Sequence, residues 1–260
     1  MWTRSLLKQN AKRALFGSYW RSFLLCFLLS LVGVGASTGS FTVDYHALTR
    51  DSGQSGWTGN VPQETVVDRY LDAITPNIAA LLVMLLLVIL ALVLCWVVFL
   101  VNPLTVGRNR YFMENRQSLS PMSTVLTIFR TPYLNVVRVS FLVGLKIWLG
   151  SLIIIPGIYW YYCYRQVPYL LAENPYMSTT RAMELSREMM RGEKFRSFVL
   201  DLSFLGWELL CMLTFGIGFL FLEPYMQATY AEFYAVLRSK AFAYHLTDSR
   251  ELGGFVRHYD

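Results

Sequence analysis

Hydrophobic positions in this chain gather into long unbroken runs, and helical periodicity is confined to the segments between them. Residues 73–107 carry no charge, and IAALLVMLLLVILALVLCWVVFLV at their centre exceeds the about 20 apolar residues a helix needs to cross a hydrocarbon core. An earlier run, residues 22–36, predicts a shorter first span, and a third is expected to start near Val139. In MWTRSLLKQNAKRALFGSYW, Leu7, Ala11, Ala14 and Leu15 share a face, with Lys8, Lys12 and Arg13 elsewhere. That pattern predicts an amphipathic helix over residues 1–20 lying in the membrane interface. Residues 37–76 are Gly/Ser/Thr-rich and acidic, which predicts an extracellular loop with one helical turn near 66–74. After the second span, NPLTVGRNRYFMENRQ is basic and interfacial, and SLSPMSTVLTIFRTPYLN is expected to form another helix on the membrane. MSTTRAMELSREMMRGEKF predicts a cytosolic amphipathic helix over residues 176–196, with Ser178 as N-cap, Ala182, Leu185 and Met189 on one stripe, and Gly192 as its stop.

Two interruptions decide the topology. One is Pro156-Gly157 in LIIIPGIYWYYCYRQVPYLL; the other is TFGIG, which carries Gly216 and Gly218. If both are turns, six membrane segments form three hairpins. The segments then assigned to one side carry 5, 5, 6 and 4 Lys/Arg (residues 1–21, 102–138, 165–197 and 238–260), against Arg50 and Arg69 outside. If the chain passes straight through, four spans remain and the basic residues of 165–197 face outward. Lys/Arg bias sets orientation, so six segments are favoured. Length pulls the other way. Residues 157–172 make only about 24 Å of helix against a core of about 30 Å, so a half-crossing hairpin stays open, and proline can also merely kink a membrane helix.

Composition agrees with the pattern. The chain is 55% hydrophobic and 15% charged, too apolar for an ordinary soluble domain of 260 residues. The net charge of +6 comes from basic residues flanking apolar segments, which orients a membrane protein and does not build a nucleic-acid surface. Cys26, Cys95, Cys163 and Cys211 all fall in apolar segments, with neither CxxC spacing nor a disulfide pattern. The basic, helically patterned N-terminus reads as an uncleaved first helix and not as a signal peptide.

Several stretches are familiar: LKQNAKRALFGSYW, NPLTVGRNRYF, IIIPGI, LAENPYMSTTRAMELSREMMRGEKF and LDLSFLGWELLCMLTFGIGFLFLEPYMQATYAEFY. The sequence resembles the bacterial integral membrane proteins grouped as domain of unknown function 975. That resemblance implies a polytopic helical protein of the cytoplasmic membrane. The family has no established catalytic or ligand-binding residues, so it supplies none.

Intramembrane charge is the most informative chemistry. Each central charge costs about 2.5–3.5 kcal/mol on insertion scales. Residues 198–213 hold nine Leu, Phe or Val, worth roughly 4.5 kcal/mol against roughly 5–7 for Asp201 and Glu208. This helix therefore needs a partner. Asp201 and Glu208 share a face, and a turn at TFGIG brings Glu223 to the depth of Glu208, where two carboxylates would share a proton. Lys146 lies within plausible reach of Asp201 or Glu208. The cluster Lys146, Asp201, Glu208 and Glu223 fits either a proton or ion relay or a set of buried pairs locking the hairpins. Tyr159, Trp160, Tyr161, Tyr162 and Tyr164 form an interfacial belt, and Tyr159, Trp160 and Tyr162 with Arg165 could alternatively line a lipid or partner groove. Pro103, Pro168 and Pro224 follow the bends and hint at three related hairpins.

His46, His245 and His258 form no HExxH pattern, and GxSxG, Walker and dinucleotide glycine motifs do not occur. The expectation is an all-α, polytopic membrane helical bundle forming a single domain over residues 1–260, with a cytosolic tail at 241–260, both termini cytosolic, and no metal, cofactor or nucleic acid. Its expected role is a non-enzymatic scaffold or accessory protein of the bacterial cytoplasmic membrane, partnered by lipid, another membrane protein or a second copy. The alternative is a small transporter or channel component using the intramembrane carboxylates.

Overall fold

A computed structural model describes residues 2–33, 66–130, 132–214 and 216–255, with backbone alone for 66–79 and 154. The described chain is helical and falls into two compact units, Met1–Ala36 with Val97–Asp260, and Ser37–Trp96.

In the smaller unit the described residues form helix α3 (Val66–Trp96). The helical turn expected near 66–74 is the start of this long helix, which runs on through Pro76 into the apolar stretch. Most of the loop expected at 37–76 lies outside the described residues. From Ala80 to Trp96 every side chain of α3 is exposed, which leaves an apolar surface all round the helix.

In the larger unit, α1 (Arg4–Leu15) is capped by the Thr3 hydroxyl, which accepts from the Leu6 amide at 3.3 Å. The chain then bends by 97° into α2 (Tyr19–Leu31). Gly17 makes the bend, with φ 86°, a value that favours glycine. Asn115 braces the inside of the elbow, donating to Ser18 Oγ at 2.8 Å and to the Ala14 carbonyl at 3.3 Å. The apolar stripe of α1 is not turned toward lipid. Leu7, Ala11 and Leu15 are buried, and α1 packs on α10 (Ile217–Ala243). The stripe expected in the interface is thus a protein–protein face, because a neighbouring helix covers it.

A π turn (Val97–Val101) leads into α4 (Asn102–Asn115), with Pro103 in its first turn. SLSPMSTVLTIF forms a 3-10 helix (Met122–Phe129), not an α-helix on a membrane surface. Its Thr124, Val125 and Ile128 are buried, and it rests on α4 where Gly107 leaves room: a Cβ there would stand 2.3 Å from the Val125 carbonyl oxygen.

Helix α5 (Tyr133–Ser151) begins six residues before the expected Val139, and α6 (Ile154–Tyr164) folds back on it. The break is at Leu152-Ile153. Pro156 and Gly157 lie one step later, in the first turn of α6, where proline's missing N–H is no loss. Gly157 lets the backbones touch, since a Cβ would come within 2.6 Å of Ser151 Cα. Residues 157–172 are not one helix. A break at Arg165-Gln166 separates α6 from α7 (Val167–Glu173), which starts with Pro168 near its N-terminus.

Ser178 caps α8 (Thr179–Met189) by accepting from the Arg181 amide. Ala182, Leu185, Ser186 and Met189 are buried, so this amphipathic helix packs on the bundle. Helices α9 (Lys194–Leu213) and α10 (Ile217–Ala243) form a second hairpin. Gly216 turns it at φ 85°, and Gly218 admits Cys211, whose Sγ would lie 2.8 Å from a Cβ. The Thr214 hydroxyl caps the returning helix, accepting from the Gly218 amide at 3.1 Å.

Among the described residues two helical stretches, Ala80–Asn115 and Tyr133–Ser151, are long and apolar enough to cross a membrane, and a third is available if the bent pair α1 and α2 is one span.

Candidate functional site

Helix α10 is the axis on which the charges of the bundle are matched. Along it come Glu223, Glu232, Arg238 and Lys240, and each meets an opposite charge from another element. Arg108 of α4 reaches Glu223 at 3.0 Å, and Gln227, one turn on, donates to the same oxygen at 2.8 Å. Arg116 takes Glu232 with two nitrogens, at 2.6 and 3.1 Å. Because 108 and 116 meet 223 and 232 in the same order, α4 and α10 run in the same direction here. Glu173 at the end of α7, with a side chain 0% exposed, accepts from Arg238 Nε at 2.9 Å, Tyr234 Oη at 2.8 Å and the Gly254 amide at 2.7 Å. Lys240 pairs with Glu193, which also accepts from Trp2 Nε1 at 3.2 Å.

Such pairs follow from the burial. A carboxylate removed from water must find cationic donors or neutralise, and the planar guanidinium serves two oxygens at once. Breaking a buried pair by removing one partner costs about 3–5 kcal/mol.

A further pair joins the two hairpins. Arg165, at the α6–α7 break, donates to Asp201 of α9 through Nη1 at 2.6 Å and Nη2 at 2.7 Å. Tyr162 donates to Asp201 Oδ2 at 2.9 Å, Ser197 Oγ accepts from Arg165 at 2.9 Å, and the guanidinium lies 4.5 Å from the Tyr230 ring centroid. The break frees Arg165 to leave the helix line and point at α9.

The polar cluster expected from sequence is therefore divided. Asp201 is held by Arg165 and Tyr162, both of which the sequence placed in an aromatic groove. Glu223 is matched by Arg108. Among the described residues Glu208 makes no ion pair, and it is half-buried. Lys146 faces neither carboxylate; it lies over Tyr164 at 5.1 Å and Trp160 at 5.8 Å, with Met183 Sδ 4.0 Å away. Trp160 closes over Gly150, where a Cβ would fall 2.4 Å from its ring. Tyr159 is exposed and carries Lys194 Nζ 4.7 Å from its centroid. Pro156, Gly157, Gly216 and Gly218 build the two hairpin turns and carry no chemistry.

Sequence reasoning missed Arg108, Arg116, Glu173, Glu193, Glu232, Arg238 and Lys240. Their one sequence signal is charge inside helical patterns otherwise dominated by Tyr, Phe and Ala, as in ATYAEFYAVLRSK.

The outer face of α1 is different. Lys8 Nζ lies 4.2 Å from the Phe204 ring and donates to the Ser203 carbonyl at 3.3 Å; Lys12 Nζ stands 5.9 Å from the Tyr225 ring. Burial, with the like charges of Arg4 and Lys12, pulls the Lys8 ammonium below the ordinary lysine range. Among the described residues no three His, Cys, Asp or Glu side chains converge as metal ligands. All four cysteines are free, with Cys95 alone exposed.

Residues 65–241 match the family described as protein of unknown function (DUF975), and the chain belongs to that family. No curated protein and no solved structure gives a match.

Proposed function

We propose that this member of the DUF975 family is a multi-pass protein of the bacterial cytoplasmic membrane that acts without catalysis, as a scaffold or accessory protein binding lipid or a membrane-protein partner. The observation that carries this reading is where the charges go. The carboxylates of Asp201, Glu223, Glu232, Glu173 and Glu193 are each engaged by a cation from another element or another part of the bundle, so they hold helices together and are not left open to a solute. The apolar surface points outward instead, all round α3 from Ala80 and at both hairpin turns, where Leu152, Ile153, Ile155, Leu213 and Ile217 are exposed. Hairpins with apolar tips suit three membrane-inserted pairs, with the basic segments and both termini in the cytosol. At 11 residues, α6 makes only about 16 Å of helix, so its hairpin dips into the bilayer without crossing it alone.

Glu208 favours a second reading, a transporter or channel component, because a half-buried carboxylate without an ion pair among the described residues can take up and release a proton. Purified protein in proteoliposomes separates the two. Stoichiometric copurification of a membrane partner with no ion or proton flux supports the scaffold; flux abolished by Glu208→Gln supports the carrier and overturns the scaffold.

A further inference from the structure

We propose that the face of α1 bearing Arg4, Lys8 and Lys12, with the α9–α10 hairpin beside it, binds the phosphate of an anionic glycerophospholipid. This rests on the membrane reading above and gives its lipid a chemical class and a place.

Residues 4, 8 and 12 repeat at the spacing that stacks side chains on one helix face, over about 12 Å of axis. The structure fixes where that face looks. Lys8 is held against Ser203 and Phe204, and Lys12 toward Tyr225; Phe204 and Tyr225 themselves meet edge to face at 5.8 Å. Two ammonium groups are thus carried on an aromatic floor that spans both helices of the hairpin.

Nothing anionic in the described bundle answers them. Among the described residues, Arg4, Lys8 and Lys12 make no ion pair, whereas the carboxylates of Glu193, Asp201 and Glu223 are already committed to Lys240, Arg165 and Arg108. Three like charges with no counter-charge repel, and burial first, then the like charges of Arg4 and Lys12, lower the proton affinity of Lys8. A bound anion would relieve it.

The surroundings select a lipid anion. The row ends at the elbow, where Phe16 is 91% and Trp20 72% exposed, the aromatic signature of headgroup depth. Leu205, Trp207 and Phe221 on the hairpin and Leu24 on α2 are exposed as well, apolar surface suited to acyl chains. Lysine on a flexible stem serves a phosphate as a point charge without demanding fixed geometry.

The test is native mass spectrometry of the full chain in detergent with equal amounts of phosphatidylglycerol and phosphatidylcholine, repeated with inorganic phosphate at millimolar concentration. We expect phosphatidylglycerol to be retained about tenfold or more over phosphatidylcholine, and the preference to fall to near unity in Lys8→Gln/Lys12→Gln. It should persist in Lys8→Arg/Lys12→Arg and in Arg13→Gln, which lies off this face. If the double glutamine variant does not fold, Lys12→Gln alone carries the test, since among the described residues that ammonium makes no hydrogen bond. Equal retention of the two lipids, or a preference untouched by the glutamine variants, overturns the proposal; displacement of the lipid by inorganic phosphate overturns its assignment to a lipid. Carbonate washing of cell membranes keeps the two readings apart. Release of the chain would defeat the membrane reading itself, whereas retention without lipid preference defeats only this site.

Discussion

Arg165 closes on Asp201 with two parallel hydrogen bonds, Nη1 to Oδ2 at 2.6 Å and Nη2 to Oδ1 at 2.7 Å, across 36 positions of sequence. The pair fastens the end of one hairpin to the start of the other, and Tyr162 and Ser197 take up remaining valences on each side. Asp201→Asn leaves a buried guanidinium without its counter-charge, and we expect a loss of about 3–5 kcal/mol. Arg165→Met/Asp201→Leu removes both charges and should regain most of that loss. Thermal unfolding in detergent, followed by size-exclusion profile, reads both; equal stability of wild type and Asp201→Asn would sink the role given to this pair.

The glycines make a graded set. At Gly107 a methyl would meet the Val125 backbone, and at Gly157 the Ser151 backbone; neither can move aside cheaply, so alanine at each should destabilise by about 1–3 kcal/mol. Gly206 in α9 has nothing within 4 Å of its would-be Cβ. Gly206→Ala should therefore be neutral or stabilise by about 0.5–1 kcal/mol through helix propensity alone. Melting temperatures of the three variants check the order.

The C-terminal segment after α10 is clasped by Arg181, which donates to Glu251 at 2.6 and 2.8 Å, while Thr247 donates to the same carboxylate at 2.8 Å. These hydrogen bonds, Arg181's first, hold the Glu251 carboxyl below its ordinary value of 4.5. The folded state thus binds this proton less readily than the unfolded one. The clasp is at full strength above pH 4.5, weakens as pH falls below it, and is lost once pH passes the lowered folded value. Limited proteolysis of the tail should rise over that acidic window in the wild type, and Glu251→Gln should be cleaved readily at neutral pH with little further change on acidification.

Orientation is read from α8. Ser186 of α8 is buried, with Oγ donating to the Cys163 carbonyl at 2.8 Å. Arg187, one position on, is exposed. In a background lacking the four cysteines, Arg187→Cys should resist an impermeant thiol reagent in intact cells and react after permeabilisation. Labelling from outside would reverse the proposed sidedness.

By itself the sequence determined what depends on neighbours in the chain. The apolar run at 80–101 is helical because no residue in it offers another structure, Ser178 caps α8 as its spacing foretold, and TFGIG turns where its glycines allow it. Tertiary structure alone decided which charges meet and which apolar stripes face protein. Arg108 and Glu223 are 115 positions apart, and nothing local distinguishes Arg108, which is matched within the bundle, from Lys8, which meets an aromatic ring and a carbonyl. The stripe of α1 looks alike whether lipid or α10 covers it, since both bury the same methylenes. Pairing and burial are properties of packing, and they appear only when helices distant in sequence have been laid side by side.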